Sequence, residues 1–212
     1  MVNSSYDHRM KELPLIISYP RSGSNWLNAL MELYFDRPRL RVSYTSLIKD
    51  NGNYMWFHDH DTYSDLELPH NNVLYLYRDP CDVIFSLAMV DFYNESIDGI
   101  NNINDLVNKE IGFLKKHHQK YLGRFDSISY ESCKNNLTDE FKKIHKFFKI
   151  RESVNVDKLN DCLRKTSKKN LISKCIDKKY FNNRMLTSNY EIKRESFRKI
   201  YKKDIYKELN WK

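Results

Sequence analysis

A short polar stretch near the start of the chain, YPRSGSNW at residues 19–26, has side chains suited to binding an anion. It follows an apolar run and precedes a helical pattern, so it would lie at a helix N-terminus, where N–H groups and the helix dipole attract negative charge. Arg21 adds a permanent charge that can bind two phosphate or sulfonate oxygens at once, and Ser22 and Ser24 add hydroxyl donors. These features predict a phosphate site, with an ordinary strand-to-helix turn as the alternative.

A second segment, YLYRDPCDVIFS at residues 75–86, places another arginine directly after an apolar run. Arg78 follows the run, an Asp-Pro pair then begins a helical pattern, and Ser86 comes two helical turns later. One pocket edge could therefore contain both Arg78 and Ser86. Together with Arg21 they would suit a ligand with a phosphate at each end. The alternative for Arg78 is a salt bridge to an acidic residue of the same segment.

Two histidines between these segments have the chemistry of a general base. The segment MWFHDHD ends a predicted strand and contains His58 and His60. Histidine titrates near neutral pH, which suits removal of a proton from a substrate. A surface histidine beside carboxylates is the alternative for each of them. His117 and His118 lie in a basic helical segment and are interpreted as solvent-exposed.

Apolar periodicity predicts the elements that position these residues. The strand patterns cover residues 13–19, 54–58, 73–77, 125–130 and, more weakly, 41–45. The helical patterns cover residues 26–35, a segment beginning at Pro80, residues 103–121 and the basic C-terminal third. Strands that alternate with helices predict an α/β fold: a three-layer sandwich with a central, mostly parallel sheet, helices on both faces and a helical C-terminal third. The length of 212 residues fits a single domain over 1–212.

Composition narrows the function classes without choosing one. The net charge of +8 favours anionic ligands, and the interleaved lysines and arginines of the C-terminal third fit solvated helix faces better than a nucleic-acid stripe. A basic nucleic-acid-binding protein is nevertheless one alternative. A small-molecule kinase with an atypical phosphate loop is another, although the chain lacks the GxxxxGK[ST] pattern and a carboxylate placed to hold magnesium. No metal site, signal peptide or membrane span is predicted, and a cytoplasmic location is expected.

Taken together, YPRSGSNWL and YRDPCDVIFS resemble the 5'-phosphosulfate loop and the 3'-phosphate motif of the sulfotransferases that use 3'-phosphoadenosine 5'-phosphosulfate (PAPS). The order and separation of the motifs and the Arg-to-Ser spacing fit that family. YES at residues 130–132 is similar to its Tyr-Glu-Asp segment, and LNW at residues 209–211 to its Leu-Gly-Tyr end. The resemblance implies a PAPS-binding α/β fold related to nucleotide kinases, with the 3',5'-bisphosphate PAP as product.

The resemblance also implies a role for each matching residue. Arg21 matches the family's usual lysine, which contacts the 5'-phosphosulfate and stabilises the leaving phosphate. The implied 5'-phosphate ligands are the loop residues Ser22, Gly23, Ser24 and Asn25. The implied adenine contacts are Trp26, which would stack on the base, and Tyr130. The implied 3'-phosphate ligands are Arg78, Ser86 and, in place of the family's Arg-Lys-Gly segment, Arg184.

The family's catalytic histidine comes in the interval that contains His58 and His60. The pair His58–Asp59 is similar to a strand-end His-Asp of some relatives, so His58 is the preferred base, with His60 as the second candidate and Asp59 or Asp61 as the group that orients the ring. The implied reaction is in-line transfer of a sulfuryl group from PAPS to a hydroxyl or amine of a small-molecule or glycan acceptor. The sequence determines neither the acceptor nor the oligomeric state.

Overall fold

A computed structural model describes residues 13–40, 47–49, 51–62, 72–94, 103–167, 170–171 and 189–211 of the chain. Its strands are β1 (Leu15–Ser18), β2 (Phe57–Asp59), β3 (Val73–Tyr77) and β4 (Asp126–Ser129). They form one parallel sheet in the order β2-β1-β3-β4. Runs of β-branched and aromatic residues explain why β1 and β3 occupy the centre, where both faces of a strand are buried.

The helices follow the apolar periods of the sequence. They are α1 (Ser24–Phe35), α2 (Pro80–Asn94), α3 (Ile103–Tyr121), α4 (Tyr130–Asn135), α5 (Leu137–Phe147), α6 (Val156–Lys165) and α7 (Tyr190–Leu209). The predicted bounds of β3 and α3 coincide with the observed ones. The C-terminal third is helical in its described parts, as predicted.

Side chains alternate between the two faces of the sheet. Ile16 and Leu74 point to one face, where they pack with apolar residues of α1, α4, α5 and α6. Ile17 and Tyr75 point to the other face and meet Tyr121 at the end of α3. Helices α2, α3 and α7 share a further apolar cluster on that side. The predicted three-layer α/β sandwich is confirmed.

The connections that follow the two central strands lead to opposite edges of the sheet. From β1 it continues through α1 to β2 at one edge of the sheet, and from β3 through α2 and α3 to β4 at the other edge. Such a reversal opens a crevice beyond the carboxyl ends of the two strands, which is where open α/β sheets bind ligands. The loop after β1 and Arg78 after β3 both border this crevice. The fold therefore brings the two predicted phosphate-binding segments to one place.

Arg184 and the weak strand pattern at residues 41–45 lie outside the described residues. Within the described ranges, no helix combines the length and the apolar character that crossing a membrane requires.

Candidate active site

The loop between β1 and α1 is shaped by two residues with positive φ angles. Arg21 has a φ of 71° and Gly23 a φ of 89°. The N–H of Ser22 donates to the carbonyl of Tyr19 at 3.2 Å, and Ser22 and Ser24 are buried. Gly23 is the N-cap of α1, and in the described part of the chain no side chain caps this helix and its first turn has no acidic residue. The N-terminus of α1 thus keeps its partial positive charge for a ligand.

Gly23 lies directly against the ring of Tyr130. A Cβ atom added at residue 23 would be 2.3 Å from Cδ2 and 2.6 Å from Cε2 of that ring. The positive φ angle is a second reason for glycine, because side-chain-bearing residues rarely adopt it. Only a glycine lets the loop and the tyrosine approach this closely.

We expect Gly23→Ala to lower the free energy of unfolding by about 1–3 kcal/mol, since it adds both a steric clash and backbone strain. Chemical denaturation measures this loss. The matched control is Gly112→Ala, because Gly112 lies within α3 with open space around it. That change should be neutral or stabilise by up to about 1 kcal/mol. Equal stability of Gly23→Ala and the unmodified chain would contradict the described packing.

The two predicted arginine segments are in direct contact. Nε of Arg21 donates to Oγ of Ser86 at 2.9 Å, and Nη1 of Arg78 donates to the carbonyl of Arg21 at 3.1 Å. Cζ of Arg78 lies 4.8 Å from the centre of the Tyr130 ring, a cation–π contact. Nε of Arg78 is buried and has no hydrogen-bond partner within the described residues. An unsatisfied buried donor on a cation is costly, so this position fits an anion that accepts from it.

The two predicted adenine contacts form one aromatic wall beside the loop. The rings of Trp26 and Tyr130 meet edge to face, with centroids 5.7 Å apart. Tyr130 directly follows β4 as the first residue of α4, and Trp26 is in the first turn of α1. Burial raises the pKa of Tyr130 while Arg78 opposes that effect, so the phenol is protonated at neutral pH. The wall is uncharged and suits a flat aromatic base.

His58 and His60 lie at the end of β2, beside the last residue of β1. Nε2 of His58 is 3.0 Å from Oγ of Ser18, and Nδ1 of His60 is 2.9 Å from the carbonyl oxygen of Ser18. A carbonyl oxygen only accepts, so Nδ1 of His60 carries the proton and Nε2 has the lone pair. Among the described residues no hydrogen bond reaches that Nε2 atom. Burial lowers the pKa of His60 below 6.5, against the raising effects of the Ser18 carbonyl and Asp59.

His117 and His118 are buried, with 0% and 9% of their surface exposed, so the interpretation of both as solvent-exposed was wrong. They share a face of α3 with Leu114 and Tyr121, and that face packs against the sheet. Nε2 of His117 lies 2.9 Å from the carbonyl oxygen of His60, to which it donates. His117 therefore holds the backbone that carries the candidate base.

Asp61, which directly follows His60, has hydrogen-bond partners on α3. The Asp61 carboxylate accepts hydrogen bonds from Nζ of Lys120 at 2.7 Å and from the hydroxyl of Tyr121. It was one of two predicted orienting groups for a histidine ring. The atoms that contact Nδ1 of His60 both belong to Ser18: the carbonyl oxygen at 2.9 Å and the hydroxyl oxygen at 3.3 Å.

Stability should fall between about pH 6.5 and pH 4, because burial lowers the pKa of His117 to about 4 and that of His118 to about 3. In this window the unfolded chain binds protons that the folded chain does not, which costs up to roughly 1.4 kcal/mol per pH unit for each histidine. Denaturation at a series of pH values measures the slope, and His118→Gln should make it shallower. An unchanged slope in that variant would contradict the burial of a neutral His118.

Sequence reasoning missed a group of arginines from α7. Nε and Nη2 of Arg194 donate to the two carboxylate oxygens of Asp82 at 2.9 and 2.8 Å, and Nη1 of Arg198 donates to Asp82 at 2.6 Å. The four-residue spacing of these arginines places both on one face of the helix, which was the available signal. Their partner precedes them by more than a hundred residues, and no local pattern connects the two.

Comparison with known proteins reveals a shared fold without a close relative in sequence. No protein-family model and no curated protein matches the chain. A crystal structure of the mouse sulfotransferase SULT7A1 complexed with PAP matches with a TM-score of 0.56 and 15% identity, over 95% of this chain and 90% of that chain. Retinol dehydratase in complex with androsterone and inactive cofactor PAP matches with a TM-score of 0.55 and 13% identity, over 94% and 83%. This chain has the sulfotransferase fold. The fold that the two motifs implied is thereby confirmed.

Proposed function

We propose that the chain is a PAPS-dependent sulfotransferase that acts on a hydroxyl or amine of a small-molecule or glycan acceptor. One observation carries this proposal. The two segments predicted to bind opposite ends of the nucleotide, 57 residues apart in sequence, are hydrogen-bonded to each other through Arg78 and Arg21. They meet in the crevice between β1 and β3, and two solved structures with the same fold contain PAP.

The residues present fit a doubly phosphorylated adenosine. The N-terminus of α1, which no side chain of the described residues caps, and the hydroxyls of Ser22 and Ser24 suit the 5'-phosphate. Nε of Arg78, which is buried and has no hydrogen-bond partner among those residues, and the hydroxyl of Ser86 suit the 3'-phosphate. The wall of Trp26 and Tyr130 suits the adenine. Arg184, an expected third ligand of the 3'-phosphate, remains a prediction.

His60 is the better supported base. Its Nδ1 donates to the Ser18 carbonyl, which leaves the lone pair of Nε2 for a substrate proton, and its lowered pKa keeps it neutral at pH 7. Nε2 of His58, by contrast, is within hydrogen-bond distance of the Ser18 hydroxyl. We therefore assign proton removal to His60, although the sequence favoured His58.

In the proposed reaction the donor supplies the transferred group, and the protein supplies the base and the charge that stabilises the leaving phosphate. PAPS supplies the sulfuryl group and leaves as PAP. The acceptor's O–H or N–H bond breaks as the acceptor binds sulfur, its proton moves to Nε2 of His60, and the bond between sulfur and the phosphate oxygen breaks. Arg21, in the loop after β1, also contacts Ser86 of the second phosphate segment. From there its charge stabilises the negative charge that grows on the leaving phosphate.

Turnover in the presence of PAPS tests this function. The protein is incubated with PAPS and a panel of phenols, sugars and amines, and both products are detected by mass spectrometry. We expect PAP and one sulfated acceptor class in equal amounts, without added metal. Stabilisation by ATP and magnesium but not by PAP would instead indicate a kinase. Salt-sensitive binding of RNA or DNA without nucleotide binding would indicate a nucleic-acid-binding protein.

A further inference from the structure

Asp82 would be expected to neutralise Arg78. It lies four residues further along the chain, in the first turn of α2, which is a favourable spacing for an ion pair. Nη2 of Arg78 lies 3.7 Å from Oδ2 of Asp82, which is an ion-pair distance but too long for a hydrogen bond. Arg78 instead has a buried Nε without a hydrogen-bond partner in the described part of the chain. Something else must hold the carboxylate.

Two arginines of α7 hold it. Arg194 binds both oxygens of Asp82 in a forked contact, and Arg198 adds a bond to the same carboxylate and a longer one, 3.3 Å, to Asp79. Bonds of 2.6–2.9 Å between guanidinium and carboxylate are strong and directional. Although burial alone would raise the pKa of Asp82, the hydrogen bonds from Arg194 and Arg198 lower it, so the carboxylate is charged at neutral pH.

Helix α7 also reaches the phosphate site itself. Burial raises the pKa of Tyr190, at the start of α7, but the charges of Arg78, Arg21 and Arg194 all lower it. The ring of Tyr190 also packs against that of Phe85 on α2, the residue before Ser86, with ring centroids 5.2 Å apart. The first turns of α7 thus border the same crevice as the two phosphate-binding segments.

We propose that Arg194 and Arg198 are positioning residues that keep Arg78 available to the 3'-phosphate by holding the Asp82 carboxylate. Without them the carboxylate could move the short remaining distance to Arg78, accept a hydrogen bond from it and compete with the phosphate. They would thereby make the site selective for nucleotides that carry a 3'-phosphate. This inference rests on the proposed function.

Calorimetry with two nucleotides tests the inference. Arg194→Gln should weaken binding of adenosine 3',5'-bisphosphate by about tenfold, because Asp82 loses its forked partner, keeps only the bond from Arg198 and can turn toward Arg78. Binding of adenosine 5'-phosphate should stay unchanged, because it has no group at Arg78. Adding Asp82→Asn to Arg194→Gln removes the competing charge and should restore most of the bisphosphate affinity. Arg164→Gln is the matched control, since Arg164 pairs with Asp161 on the exposed face of α6.

Each outcome separates two explanations. Unchanged bisphosphate affinity in Arg194→Gln overturns the inference. A loss that Asp82→Asn does not restore also overturns it, since Arg194 would then contact the phosphate directly. If Arg194→Gln is too unstable to measure, Arg194→Lys should show a smaller loss restored by the same second change, and no loss overturns the inference. Failure of the unmodified protein to bind the bisphosphate contradicts the proposed function instead.

Discussion

Arg78→Ala should weaken the binding of adenosine 3',5'-bisphosphate by about 30-fold or more, because removing one partner of a buried charge pair costs about 2–5 kcal/mol. The guanidinium is stacked on Tyr130 and hydrogen-bonded to the Arg21 carbonyl, so it is already ordered before the ligand binds. Little ordering cost is then left for the ligand to offset. Isothermal titration calorimetry measures the change.

Two further variants sharpen this test. Arg78→Lys keeps the charge but loses the planar fork and the stacking, so it should fall between the unmodified protein and Arg78→Ala. Arg124→Ala is the matched control, because Arg124 also lies over an aromatic ring, that of Phe125, but on an exposed part of the chain. Its bisphosphate affinity should be unchanged. Equal bisphosphate affinities of Arg78→Ala and Arg124→Ala would show that Arg78 does not bind the nucleotide.

His60→Ala should lower kcat by about 10²- to 10⁴-fold, the usual contribution of a general base, while bisphosphate affinity stays within a few-fold. His58→Ala is the control in the same strand end and should lose much less activity. The two histidines have rings 4.8 Å apart, so both variants disturb the same neighbourhood and differ mainly in the nitrogen that faces the substrate. The reverse ranking would make His58 the base.

The pH dependence of kcat/KM provides a second readout for this base. The base must be neutral, and burial lowers its pKa in the free protein, so the half-point of the acidic decline in kcat/KM should lie below pH 6.5. A half-point above pH 6.5 would contradict a buried His60 in that role.

Local patterns in the sequence predicted much of this fold. A continuous run of apolar residues marks β3, because both of its faces are buried, and the helical apolar period marks α3, because one of its faces packs on the sheet. The loop after β1 could also be recognised in the sequence, because its glycine, serines and arginine are adjacent residues. The meeting of the two phosphate segments followed from the rule that parallel strands end at one edge of the sheet.

Contacts between distant elements could not be predicted in the same way. The proton position on His60 depends on the carbonyl of Ser18, which the pairing of β1 with β2 brings beside it. The burial of His117 depends on how α3 packs on the sheet. The basic residues around it in the sequence had suggested a solvent-exposed position. The pairing of Arg194 with Asp82 joins two helices that neither local periodicity nor motif spacing connects.

In the proposed complex, Arg21 and Arg78 bind opposite ends of one nucleotide. A crystal structure of the protein with adenosine 3',5'-bisphosphate tests it most directly. We predict the 5'-phosphate at the N-terminus of α1 beside the loop that carries Arg21, and the 3'-phosphate within hydrogen-bond distance of Arg78 and Ser86. A nucleotide bound away from the crevice between β1 and β3, or one whose 3'-phosphate faces solvent while Arg78 donates a hydrogen bond to Asp82, would contradict it.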